Sequence, residues 1–234
     1  MKREVRFFGV RGSIATPGVA TARVGGNTSC SLLTMAGRRI ILDGGTGLRA
    51  LGAWHGNKPL KADILFSHLH WDHIQGIPFF SPLYNPDSSF VFYGPRGLRQ
   101  ALERQMSLPN FPVSMEVMGA SIRFVTISPG DSFASGPLSV TTTALNHPGG
   151  AIGYRIEYGD TSVVHALDHE HGNPQADRRL EKLAKWADLL VYDAQYLPEE
   201  YESKRGWGHS TYAEGARLAE RMDAGKLVLP HHDP

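Results

Sequence analysis

The stretch "FSHLHWDHIQGIP", residues 66–78, places His68, His70, Asp72 and His73 within six positions, directly after the apolar run "ADILF". Residues two apart on an extended segment point the same way, so His68 and His70 can reach one point in space while Trp71 faces elsewhere. Asp72 and His73 follow where the chain turns into "IQGIP" and can address a second point nearby. Imidazole and carboxylate are the ligands that Zn²⁺, Mn²⁺ and Fe accept. Two histidines followed by an Asp-His pair exceed what one catalytic metal with an open position needs, so the count points to two metals. A lone histidine is most often a surface residue; here four such side chains follow one strand, and Gly76 comes three residues later.

The rest of the composition narrows the class. The chain has 234 residues, which suits a single domain spanning 1–234. Hydrophobic residues make up 41% and charged residues 20%, as in ordinary globular proteins. The net charge is +1, with no Lys/Arg-rich block of the kind that grips nucleic acid. No segment approaches the roughly 20 apolar residues that span a bilayer, and "MKREVRFFGV" lacks the features of a signal peptide. A single cysteine, Cys30, excludes an internal disulfide and suits a reducing, cytoplasmic setting.

Short β-rich runs alternate with turn signals through both halves. "EVRFFGV", "SCSLLTM", "RRIILD", "ADILF" and "SFVFYG" predict strands in the first half. "SIRFVTI", "LSVTTTAL", "IGYRIEYG", "TSVVHAL", "DLLVYD" and "KLVLP" predict strands in the second. Helices are predicted for "PRGLRQALERQM" from Pro95 and "PQADRRLEKLAKWA" from Pro174. A third, "STYAEGARLAERM", has Ser210 or Thr211 as N-cap. Many strands with a few helices between them suggest stacked sheets covered by helices.

"SHLHWDH" resembles the metal motif of the metallo-β-lactamase superfamily. "RVGGNTSC", "ILDGGTGL", "LNHPGGAIGYRIE", "ALDHEH", "VYDAQY", "GHST" and "LVLPHHDP" follow in the matching order over nearly the whole chain. The set resembles the branch of phosphoribosyl cyclic phosphodiesterase-like proteins and, more distantly, ribonuclease Z. The resemblance implies an α+β fold, a four-layer αβ/βα sandwich of two mixed sheets face to face with helices outside. It also implies the remaining ligands. His147 joins His68 and His70 on a first metal, His231 joins Asp72 and His73 on a second, and Asp168 bridges both. His232 is the alternative to His231. His169 and His171 are expected at the rim, outside the ligand set. Dinuclear β-lactamases commonly carry a cysteine at the place of Asp168, so antibiotic hydrolysis is disfavoured.

The "GHST" segment resembles that of the nuclease and phosphodiesterase branch, which implies His209 as general acid or phosphate ligand and Asp193 as the carboxylate that orients it. An adjacent carboxylate favours the imidazolium form that can donate a proton. Asp43 in "LDGGTG" is a candidate acceptor for the free ring N–H of a metal-bound histidine, or a turn-forming Asp. Arg11 and Asn27, in Gly-rich turns, are candidate phosphate contacts.

The expected function is a dinuclear metal-dependent hydrolase. Two divalent ions, Zn²⁺ first and Mn²⁺ or Fe next, would lower the pKa of a shared water. The hydroxide so formed would attack a small cyclic or nucleotide-like phosphodiester. No stable nucleic-acid partner and no membrane contact are expected; a homodimer is compatible with the family. The rivals are an RNA-processing nuclease, a thioester or lactone hydrolase of the same fold, and a metal-binding sensor without turnover.

Overall fold

The computed structural model describes residues 3–234. The chain divides into two compact units, Met1–Ile127 with Pro234, and Ser128–Asp233.

The first unit contains β1 (Arg3–Gly9), β2 (Cys30–Met35), β3 (Arg38–Leu42), α1 (Gly47–His55), β4 (Lys61–Leu65), α2 (Trp71–Ile74), β5 (Ser89–Gly94), α3 (Leu98–Gln105) and β6 (Ser121–Thr126). Its strands form one six-stranded sheet in sequence order. β1, β2 and β3 pair antiparallel, and β3 to β6 pair parallel. The switch explains the pattern of apolar residues: β4 reads "ADILF" without alternation because a parallel strand is covered on both faces. Phe66, Phe90 and Phe92 fill the core with Ile41 and Ile64. Their rings meet edge to face at 5.5 and 6.3 Å between centroids.

The second unit contains β7 (Ser132–Ser135), β8 (Leu138–Leu145), β9 (Ala151–Tyr158), β10 (Thr161–Ala166), α4 (Pro174–Ala184), β11 (Leu189–Tyr192), α5 (Pro198–Tyr201), α6 (Tyr212–Arg221) and β12 (Leu227–Val228). Its sheet has the order β12-β11-β10-β9-β8-β7. The four strands from β7 to β10 pair antiparallel, whereas β10, β11 and β12 run parallel. Leu180 and Leu183 of α4 and Leu218 of α6 pack with Val164, Leu190 and Tyr192.

Both units therefore begin as an antiparallel meander and end in parallel strands. Within each unit, parallel strands deliver their C-terminal ends to one edge of that unit's sheet, where the following loops meet. The alternation of β8, β9 and β10 also sends the C-terminal end of β8 to the edge where β10 ends.

The short helices α2 and α5 were not expected, and three further elements differ from the sequence expectation. The helix expected from Pro95 begins at Leu98, because Gly97 sits at φ 91° in the left-handed region and closes the turn after β5. α1 was not expected: its glycines at 47 and 52 obscure the spacing of the buried Leu48 and Leu51. β7 is only four residues long and half exposed, too short to show alternation. Among the described residues, no helix is long and apolar enough to cross a membrane.

Candidate metal centre

In the first unit β3 and β4 end side by side, with Leu42 paired to Leu65. Asp43 follows one strand and Ser67-His68 the other. Asp43 is fully buried and takes φ 60°. Its Oδ1 accepts the Ser67 N–H at 2.8 Å, and Ser67 Oγ lies 3.0 Å from both of its oxygens. His73 Nδ1 lies 3.0 Å from Asp43 Oδ2. The Ser67 hydroxyl has one proton, which goes to the carboxylate. Its lone pair is then left for the N–H of His68 Nδ1, 3.0 Å away. Asp43 thus sets the ring of His73 directly and that of His68 through Ser67.

The chain stays extended through His70, at φ −67° and ψ 154°, and turns into α2 at Trp71. The His68 ring lies 4.4 Å from that of His70 and 4.3 Å from that of His73. Asp72 Oδ2 lies 3.2 Å from His73 Nε2 and accepts the Ser13 N–H at 2.9 Å. Gly76 is required by backbone crossing: a Cβ there would lie 1.9 Å from the Gly45 carbonyl oxygen. Arg11 and Asn27 belong to the loop that carries Ser13. Arg11 Nε donates to the Gly25 carbonyl at 3.1 Å, and the Asn27 carbonyl accepts the N–H groups of Val10 and Arg11, each at 2.9 Å. Cys30 is buried, and burial, with the charge of Asp43, pushes its thiol well above the ordinary value. It is not poised to become a thiolate ligand.

In the second unit the strand ends supply the rest. His147 follows β8, Asp168 follows β10, Asp193 follows β11 and His231 follows β12. Asp168 takes φ 61° and His231 φ 68°, left-handed conformations that aim both side chains at the same edge. Asp168 Oδ1 lies 3.7 Å from His147 Nε2, and its Oδ2 lies 3.4 Å from His231 Nε2. One carboxylate thus presents a separate oxygen to each of two imidazole nitrogens. His231 is fully buried, whereas its neighbour His232 is half-buried.

Asp193 is the hub behind these groups. Its Oδ1 accepts the N–H of Ser210 at 2.9 Å and of Gln195 at 3.2 Å. Its Oδ2 accepts the Asp168 N–H at 3.1 Å and faces His209 Nδ1 at 2.9 Å and His231 Nδ1 at 3.3 Å. Burial works against its ionisation, but the facing His209 and His231 outweigh it and hold the carboxyl below its usual range. The His209 ring stacks on His231 at 5.0 Å and meets His147 edge-on at 5.1 Å. Asp168, Asp193, His209 and His231 offer ligand atoms close enough to hold one ion.

His147 Nδ1 lies 2.9 Å from the Gly208 carbonyl, which can only accept. His68, His73 and His147 therefore share one tautomer, with Nδ1–H engaged by the protein and the lone pair on Nε2. That is the form a divalent cation requires of an imidazole ligand, so these residues fit a metal.

His169 departs from its expected place at the rim. It is buried, its Nδ1 accepts the Asn146 N–H at 3.2 Å, and its Nε2 lies 3.1 Å from Asp177. His171 is half-buried; its Nδ1 contacts Ser210 Oγ at 2.8 Å, and burial lowers its pKa. Ser67 and the carbonyl of Gly208 carry no local motif of their own, although Ser67 stands inside "FSHLH".

Imidazoles and carboxylates at the strand ends of each unit, most of them buried with His70 exposed, fit the class of metal-dependent hydrolases. The chain belongs to the beta-lactamase superfamily, whose domain model matches residues 38–232. The ribonuclease Z of Exiguobacterium sp. is 26% identical, with 88% of this chain and 82% of that protein covered. That of Natronomonas pharaonis is also 26% identical, covering 99% and 87%. The two mixed sheets and their helices are the α+β sandwich of the metallo-β-lactamase fold. The fold protein YhfI from Bacillus subtilis superposes with a TM-score of 0.74 at 21% identity, over 98% of this chain and 86% of its own. A diphosphatase of the PhnP family superposes with a TM-score of 0.73 at 16% identity, over 99% and 87%.

Proposed function

We propose that the protein is a dinuclear metal-dependent phosphodiesterase acting on a small cyclic or nucleotide-like phosphodiester. In this reading 1–234 works as one hydrolase domain. His68, His70 and His147 would hold one divalent ion, Asp72, His73 and His231 would hold the other, and Asp168 would serve both. The observation that carries it is the Asp168 carboxylate, which turns one oxygen towards His147 and the other towards His231. Zn²⁺ is the first candidate, with Mn²⁺ or Fe accepted by the same donors. When bound, such ions lower the pKa of a shared water and offset charge on the phosphoryl oxygens.

The chain's own residues supply the remaining steps. Asp43 and Gly208 fix ring orientation, so the ligand nitrogens are set before substrate arrives. Asp193 holds His209 by Nδ1, which leaves Nε2 as the donor of a proton to the departing oxygen. Asp193 also accepts from the Ser210 N–H, so the backbone beside His209 and its ring are held by the same carboxylate.

A small substrate is supported by the net charge of +1, which offers little grip on a polyanion. A cavity of about 530 Å³ beside His147 and His171 is of a size for a small ester. The relatives named ribonuclease Z favour RNA cleavage as the second reading. The alignment to the Natronomonas pharaonis protein runs over 284 positions, so that relative carries segments which this chain of 234 residues lacks.

The test is metal content together with turnover of a cyclic dinucleotide, a nucleoside cyclic phosphate and a precursor transfer RNA. Two metals per chain with turnover of the small esters is expected. Two metals with cleavage confined to RNA would transfer the reading to the nuclease, and no bound metal after supplementation would end both.

A further inference from the structure

Glu170 lies two residues beyond Asp168 and outside every role given above. Its residue is 9% exposed, and both carboxylate oxygens are occupied. Oε1 accepts the Gly206 N–H at 2.7 Å and the Tyr201 O–H at 3.1 Å, and Oε2 accepts the Gly208 N–H at 2.9 Å. Its main chain is tied on the other side. The Glu170 N–H donates to the Asn146 carbonyl at 2.8 Å, and the Glu170 carbonyl accepts from Asn146 Nδ2 at 2.7 Å. Asn146 precedes His147, whose Nδ1–H reaches the Gly208 carbonyl, and Gly208 precedes His209. The contacts close a ring: Glu170, Asn146, His147, Gly208 and back to Glu170.

A nearly buried carboxylate is expensive unless its oxygens are satisfied. Here neutral donors from one short segment satisfy it. That segment needs restraint. Gly206 and Gly208 take φ 85° and 91°, conformations with few intrinsic limits. Gly208 also tolerates no side chain, since a Cβ would lie 2.2 Å from His147 Nδ1. Without the carboxylate, two glycines would carry the carbonyl that orients His147 and the peptide that places His209.

We propose that Glu170 is a positioning residue: it clamps the Gly206–Gly208 turn so that one loop both orients His147 as a metal ligand and holds His209 on Asp193. The assignment rests on the reading of His147 as a ligand and His209 as the proton donor. One carboxylate then couples metal affinity to proton delivery through the loop it holds, its oxygens being engaged by Tyr201, Gly206 and Gly208.

The test uses the full chain with Glu170→Ala, Glu170→Gln and Tyr201→Phe beside His147→Ala and His209→Ala. Metal affinity is read by chelator competition. kcat and KM are read on phosphodiesters with a nitrophenolate and an alkoxide leaving group, and folding by circular dichroism and thermal melting. Glu170→Ala is expected to weaken metal binding by up to about 10-fold, the low end of the cost of losing an outer partner of a ligating histidine, because the Gly208 carbonyl stays but loses its restraint. It should also lower kcat more on the alkoxide ester than on the nitrophenolate, with KM little changed. Glu170→Gln keeps one acceptor and should fall between, and Tyr201→Phe should be mildest.

A folded Glu170→Ala protein with wild-type metal affinity and the wild-type ratio of rates on the two esters would overturn the proposal. The phosphodiesterase reading would survive that result. If Glu170→Ala does not fold, Glu170→Gln decides by the same two readouts. If His147→Ala leaves metal binding intact or His209→Ala leaves both rates intact, the underlying reading fails first and takes this one with it.

Discussion

Replacing Asp193 with Asn tests the acid–base assignment with almost no change in shape. Asp193 accepts four hydrogen bonds, two on each oxygen, and its Oδ2 also faces His231 Nδ1 at 3.3 Å. An amide can accept at only one of the two places the carboxylate oxygens occupy. With its oxygen left on Ser210 and Gln195, its NH₂ faces the Asp168 N–H and His209 Nδ1. The Asp168 N–H then loses its acceptor inside a buried site, which costs about 1–3 kcal/mol. The amide NH₂ can only donate to His209 Nδ1, so the ring loses the acceptor that holds its Nδ1–H and directs Nε2. General acid catalysis contributes roughly 10²–10⁴-fold, so kcat for an alkyl phosphodiester should fall by about that range. A nitrophenyl ester expels a stable anion and needs little protonation, so its kcat should fall far less. The assay is kcat on the two esters at matched metal occupancy. Equal losses on both, with metal retained, would refute the proton-donor role of His209. Unchanged rates on both would remove Asp193 from the chemistry altogether.

Other outcomes follow from the same geometry. Stripping divalent ions with a chelator should abolish turnover and lower the melting temperature, and Zn²⁺ or Mn²⁺ should restore both; activity that persists without metal would contradict the ligand set. Cys30, buried with a raised thiol pKa, should resist a thiol reagent in the native protein and react once guanidinium unfolds it. Phe92→Ala removes a fully buried ring packed against Phe66, Phe90 and Phe124 and should cost about 3–5 kcal/mol in denaturant titration. Asn173→Ala removes the side chain that accepts from the Gln175 and Ala176 N–H groups at the start of α4, a loss of about 1 kcal/mol measured by thermal melting.

The sequence by itself determined what is local. The apolar runs predict the strands because each stands between turn residues, and the cluster of His68, His70, Asp72 and His73 is legible because its members are neighbours in the chain. Pro174 and the pair Ser210-Thr211 mark helix starts for the same reason, a cap or a first-turn residue acting within a few positions, and the structure puts the cap at Thr211. The candidates His147, Asp168 and His231 are of another kind. Each is an isolated residue after a strand, and only the ordered set of motifs, not any spacing, singled them out.

The tertiary structure decided the contacts made across large separations. His231 rather than His232 faces Asp168 and Asp193, because a left-handed backbone at His231 turns its ring inward. Asp43 reaches His73 because β3 and β4 end in register, a pairing that no short window of sequence contains. His169 moved from the expected rim to the interior because Asp177 and the Asn146 N–H meet its two ring nitrogens. Glu170 and Gly208, separated by 38 positions, join only when the segment after β10 and the loop before α6 fold against each other. Local patterning selects helix, strand and turn within a few residues of themselves. The partner of a buried charge is set by which strand ends lie side by side, and only the completed sheets specify that.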